Sequence, residues 1–207
     1  MMFLLNEILI FTPGRRHEAL DRLAWIHGLM AADPGFQRAI VAKYLGEGLR
    51  HAVLRVWDDE QSYQRFREGP EGNYGRGRPE GLYSNEKVIP QWQSVVETVG
   101  TGNGRHLVKI QYDVPADRWE DWIEHQKRLH GIRHSLGGLA GAWTFRSKKG
   151  HEDGDESLSI ARFEGRHTQE RLLDSADFVK TLLDNPDGVK LQSIENFEIV
   201  SETLPAS

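Results

Sequence analysis

Residues 100–104 read Gly-Thr-Gly-Asn-Gly, and the same order of elements is written on either side of them. The stretch has no large apolar side chain with which to build a core, so it reads as a linker. Upstream, residues 2–11 are rich in Leu, Ile and Phe and predict a strand. Pro13-Gly14 opens a helix over about 14–32, where Leu20, Leu23, Ile26 and Met30 recur at helical spacing until Asp33-Pro34-Gly35 stops it. Strands follow at 36–45 and 49–57 around Gly46-Glu47-Gly48. Asp58 or Asp59 then caps a second helix to about Arg67. The Gly-, Pro- and Arg-rich residues 69–86 predict irregular chain, and 88–99 a last strand. Downstream, strands are predicted at 105–114, 139–147, 157–164 and 189–203, and helices from Pro115 to about His134 and over 167–184.

The register supports a duplication. Pro13 matches Pro115, and Glu97-Thr98 matches Glu202-Thr203. His27-Gly28 precedes Gly35-Phe36 by the interval that separates His130-Gly131 from Gly138-Leu139. Each half is β-α-β-β-α-β, a ferredoxin-like unit with helices on one sheet face only. The bare face must be buried. The expected fold class is therefore α+β: two tandem ferredoxin-like domains, 1–99 and 105–207, joined by 100–104 and packed as a pseudo-dimeric α+β barrel.

Composition narrows the function. Of 207 residues, 38% are hydrophobic, enough for a packed core. With no cysteine there is no disulfide, zinc-thiolate site, cysteine-ligated cluster or thiol nucleophile. The net charge is −5, and the halves carry 12 basic against 13 acidic and 14 against 18 residues, so neither is a basic nucleic-acid module. No run of about 18 apolar residues predicts a membrane span. The opening Met-Met-Phe-Leu-Leu, broken by Asn6-Glu7, does not read as a signal peptide. A cytoplasmic protein acting on a small molecule is expected, with no nucleic acid or membrane partner; a homodimer of the tandem unit is compatible with this.

Four short motifs carry a family resemblance: Asn6-Glu7-Ile8, His27-Gly28, Pro34-Gly35-Phe36, and Val56-Trp57-Asp58-Asp59-Glu60-Gln61-Ser62-Tyr63. With them, residues 1–100 resemble the antibiotic biosynthesis monooxygenase (ABM) domains of the dimeric α+β barrel superfamily, and their heme-degrading relatives. Residues 105–204 resemble them mainly in element order. The resemblance implies a monooxygenase that oxidises a small aromatic or polyketide-like phenol or enol without a cofactor. Trp57 and Tyr63 would shape a dry pocket and donate hydrogen bonds to a phenolate, and Asn6 would hold oxygen or a carbonyl. His27 is the candidate base, its imidazole titrating near neutral pH.

Phe66, Tyr112 and Arg76 are candidate substrate contacts. Tyr112 is placed on the strand face equivalent to Asn6, and Arg76 lies in a segment that reads as a lid over an anionic substrate. The pattern departs from the family at Val53 and Val41, where some members use an asparagine and a tyrosine. It also departs at Phe66, a tryptophan in heme-degrading relatives, and at 70–76, where their histidine ligand is missing. Heme is accordingly the alternative cofactor and heme binding or degradation the alternative function. A non-catalytic small-molecule binding or stress-response module is the alternative from another class. His125, His130 and His134 lack neighbouring ligands at metal spacing, so no metal is expected.

Overall fold

The computed structural model describes residues 1–73, 79–83, 90–99, 103–147 and 155–206. The chain is α+β, two ferredoxin-like repeats in tandem. The first repeat runs β1 (Phe3–Ile10), α1 (Arg16–Ala31), β2 (Phe36–Tyr44), β3 (Arg50–Trp57), α2 (Glu60–Glu68) and β4 (Gln91–Val99). The second runs β5 (His106–Val114), α3 (Trp119–Ser135), β6 (Leu139–Ser147), β7 (Asp155–Phe163), α4 (Arg166–Leu173), α5 (Ala176–Leu183) and β8 (Lys190–Thr203). The helix expected over 167–184 is thus two. Ser175 interrupts it, its side chain accepting a hydrogen bond from Phe178 N and capping α5. Asp59, one of the two expected caps of α2, accepts from Ser62 N at 2.7 Å.

Two compact units form: Met1–Gln91 with Ile199–Ser207 (unit 1), and Trp92–Glu198 (unit 2). In unit 1 the strands run β1-β3-β2; in unit 2 they run β8-β5-β7-β6-β4. The pairings described within each unit are antiparallel.

Matching irregularities mark the repeat. Trp57 faces both Phe3 and Phe36 across their ladders, and Phe163 faces His106 and Leu139. A register shift falls between Phe36 and Arg38 in β2 and between Leu139 and Gly141 in β6. Asp58 N donates to Gly35 O, and Glu164 N donates to Gly138 O. A Cβ on Gly35 would lie 2.4 Å from Ser62 Cβ, and one on Gly138 2.7 Å from Thr168 Cγ2. The glycines shared by the two halves are required because the following helix packs directly on them.

Side chains alternate between sheet faces. In β1, Phe3, Leu5 and Leu9 face α1, packing with Ile26 and Met30 or with Ala19 and Leu23. In unit 2, Val108, Ile110, Tyr112 and Val114 pack with Trp119, Trp122 and Leu129 of α3 and Phe178 of α5.

Candidate functional site

Four of the sequence candidates meet on the helix-covered face of unit 1. Trp57 closes β3 and is fully buried, with Tyr63 and Phe66 one turn apart on α2. The Trp57 ring lies 5.9 Å from Tyr63, 5.2 Å from Phe66 and 5.4 Å edge-on from Phe36, and Tyr63 stacks on Phe3 at 5.4 Å. Trp57 Nε1 is buried with no acceptor. A buried donor left unpaired costs roughly 1–3 kcal/mol, so this N–H is the odd atom in an otherwise apolar cluster.

His27 reaches the same face from α1, with a partner that sequence reasoning missed. Arg55 of β3, 2% exposed, donates its Nε–H to His27 Nε2 at 3.3 Å and pairs through Nη1 with Glu7 at 2.9 Å. Burial, then the guanidinium, pushes the imidazole down to about 3. His27 is therefore a neutral acceptor whose proton sits on Nδ1. An imidazole titrating near 6.5, as the base reading expects, is not what this geometry provides. The signal for Arg55 was a lone cation inside the apolar strand His51–Trp57.

Asn6 does not join this group. It falls between Leu5 and Glu7 on β1, so its side chain points to the sheet face opposite the helices, where it is buried with Oδ1 unpaired. Tyr112 also departs from its expected place. The pairs Phe3–Trp57 and His106–Phe163 put Lys109, not Tyr112, at the position of Asn6. Tyr112 matches Leu9 and lies on the helix-covered face of unit 2, its ring 4.5 Å from Trp122; burial pushes its phenol up to about 12. Lys109 is buried and pairs with Glu195 at 2.8 Å. Arg76 lies outside the described residues.

Unit 2 has its own buried polar set, beneath α3. Thr98 Oγ1 and Thr144 Oγ1 lie 3.2 and 3.3 Å from the two nitrogens of His130, and Thr144 donates to Gln126 Oε1 at 3.1 Å. Burial holds His130 neutral, its pKa pushed down to about 3. On the surface of the same unit, an open cleft of about 550 Å³ is lined by Arg118, Asp121, Glu124, Arg128 and Asp184. Its charges are mixed, and it holds none of the sequence candidates. Among the described residues no cluster of three or more His, Asp or Glu stands at metal-binding geometry.

Residues 1–72 match the antibiotic biosynthesis monooxygenase family. The match is confined to the first repeat. No curated protein matches the chain in sequence. The fold is similar to that of a candidate monooxygenase of Lactobacillus acidophilus NCFM (11% identity, TM-score 0.76, 98% of this chain and 95% of that one). It is also similar to a candidate monooxygenase of Fusobacterium nucleatum (6% identity, TM-score 0.79, 98% and 94%). A heme-degrading enzyme of Listeria monocytogenes shares it at 7% identity (TM-score 0.53, 95% and 98%). At such identities the likeness is one of fold. The ABM match covers β1 to α2, the segment that holds Trp57, Tyr63, Phe66 and the Glu7–Arg55–His27 chain. Among the described residues no helix is long and apolar enough to cross a membrane.

Proposed function

We propose that the protein is a monooxygenase that works without a cofactor on a small aromatic or polyketide-like phenol or enol, bound against the ABM domain's Trp57, Tyr63 and Phe66. The observation that carries this reading is the unpaired, buried indole N–H of Trp57 among apolar rings. A substrate oxygen placed there satisfies the donor, and the hydrogen bond strengthens as that oxygen gains charge in the phenolate or enolate. The apolar surroundings raise the worth of that bond and keep water from the carbanion. The substrate supplies the electrons. A ring methylene, deprotonated as its phenol or enol tautomer, takes one oxygen atom to become a carbonyl, and the second leaves as water with the two hydrogens.

Arg55, its charge balanced by Glu7, lies on the same sheet face, and His27, neutral and bonded to its Nε–H, positions it. Proton removal falls to solvent base and to the acidity of the substrate itself. Heme fits these residues poorly. His27 Nε2, the buried imidazole nitrogen nearest the site, is taken by Arg55.

Trp57→Phe is the test, because it keeps a ring and removes the donor. Turnover of an anthrone-type substrate should fall 10- to 100-fold, on the order of the loss of one transition-state hydrogen bond, with KM little changed. Unchanged kcat removes Trp57 from the mechanism.

A further inference from the structure

Arg133 of α3 is 2% exposed, and its Nε and Nη1 have no hydrogen-bond partner. No ion pair among the described residues includes it. Its guanidinium lies 5.6 Å from the ring of Phe178. Along the same helix, both nitrogens of His125 and Nε2 of Gln126 are also buried and unpaired, and Ser159 Oγ is unpaired on β7 below. Such a concentration of idle donors in one core is costly, an unpaired buried charge most of all.

The other repeat shows that the fold does not ask for them. With His27 matched to His130 and Trp57 to Phe163, Tyr112, Gln126, Arg133, Thr144 and Ser159 correspond to Leu9, Leu23, Met30, Val41 and Val53. All five of those are buried and apolar, packed into the cores of unit 1. Polar residues stand together in unit 2 at positions where the same architecture closes with aliphatic ones.

We propose that unit 2 holds a buried receptor for a small monocarboxylate, anchored on Arg133, with Gln126 and His125 as flanking polar groups and Trp122, Tyr112 and Phe178 as apolar walls. The charge count selects a monoanion. Burial lowers Arg133 only to about 10, so it stays charged. Tyr112, His125 and His130 are neutral near pH 7, since burial raises the first and lowers the other two. One negative charge neutralises the set; a dianion leaves one charge buried and unpaired. A planar carboxylate suits a planar guanidinium, and the aromatic walls favour an aromatic acid over acetate.

The test is thermal unfolding of the full chain, titrated with sodium benzoate and sodium acetate against chloride and phosphate at constant ionic strength. A saturable rise in Tm is expected with benzoate, a smaller one with acetate, and none with chloride or phosphate. Arg133→Met, which installs the residue found at position 30, should abolish the benzoate response. Arg133→Lys keeps the charge in a core that has already accepted it. It serves where the methionine variant does not fold, and it should weaken benzoate about tenfold or more through lost charge-assisted hydrogen bonding. No saturable response in the wild type, an equal response to phosphate or chloride, or an undiminished response in the arginine variants overturns the proposal. None of these readouts depends on oxygenase turnover, so the receptor and the oxygenase reading stand or fall separately.

Discussion

Acid should unfold this protein by a route that two matched histidines set. Burial pushes both His27 and His130 from their ordinary 6.5 to about 3. Because the folded-state value is depressed, the unfolded chain binds more protons at every pH between about 6.5 and 3, and stability falls as pH falls through that window. At pH 5, some 1.5 units below the unfolded value, each imidazole costs about 2 kcal/mol relative to neutral pH, and the two together about 4 kcal/mol. That is a large share of the 5–15 kcal/mol typical of a folded protein. Urea unfolding followed by tryptophan fluorescence at about pH 7.5 and about pH 5 reads the difference. His27→Gln and His130→Gln each remove one titrating ring and should each reduce the acid-induced loss by about 2 kcal/mol. Carboxylates contribute equally to wild type and variants and cancel in the comparison. If the double variant loses as much stability as the wild type over this range, the buried neutral state of both rings is refuted.

Three further outcomes follow from the same geometry. His27→Gln should leave the pH dependence of turnover unchanged while lowering kcat, since the imidazole positions Arg55 and does not titrate where activity is measured; a flattened limb near pH 6–7 would restore it as the base. Gly104→Ala should destabilise unit 2 by about 2 kcal/mol or more, because a Cβ there would sit 2.2 Å from Phe163 O, a backbone atom with little room to yield; chemical denaturation measures it. Asp59→Ala should lower Tm, and Asp59→Ser should recover most of the loss, since either side chain can accept from Ser62 N.

Much of the fold was legible because it is written in local signals. Gly35 and Gly138 stand where a helix packs on the backbone, Asp59 where a helix needs a cap, and the strands show as apolar runs between turns. The break at Ser175 was missed because apolar residues on both sides keep helical spacing, and only the cap reveals it. The candidate site was legible in part. Trp57, Tyr63 and Phe66 come from one strand–helix junction, so sequence proximity brings them together. The partner of His27 comes from 28 residues away: a lone cation in the apolar strand His51–Trp57 marks Arg55 as unusual, but nothing local pairs it with His27. Tyr112 lies on the other face from the one expected because the offset between repeats, fixed by the ladders at Trp57 and Phe163, is not visible in composition or spacing. The polar stripe of Gln126, His130 and Arg133 was readable, standing on the same face of α3 as Trp122 and Leu129; its idle donors appear only once the core is packed.

Oxygen consumption by the purified protein, with an anthrone-type phenol, chelator present and neither heme nor flavin added, tests the central claim most directly. The account predicts uptake of one O2 per substrate oxidised, a quinone product, no Soret band, and a rate that depends on Trp57. No uptake under these conditions, or uptake that begins only when hemin is supplied, contradicts it.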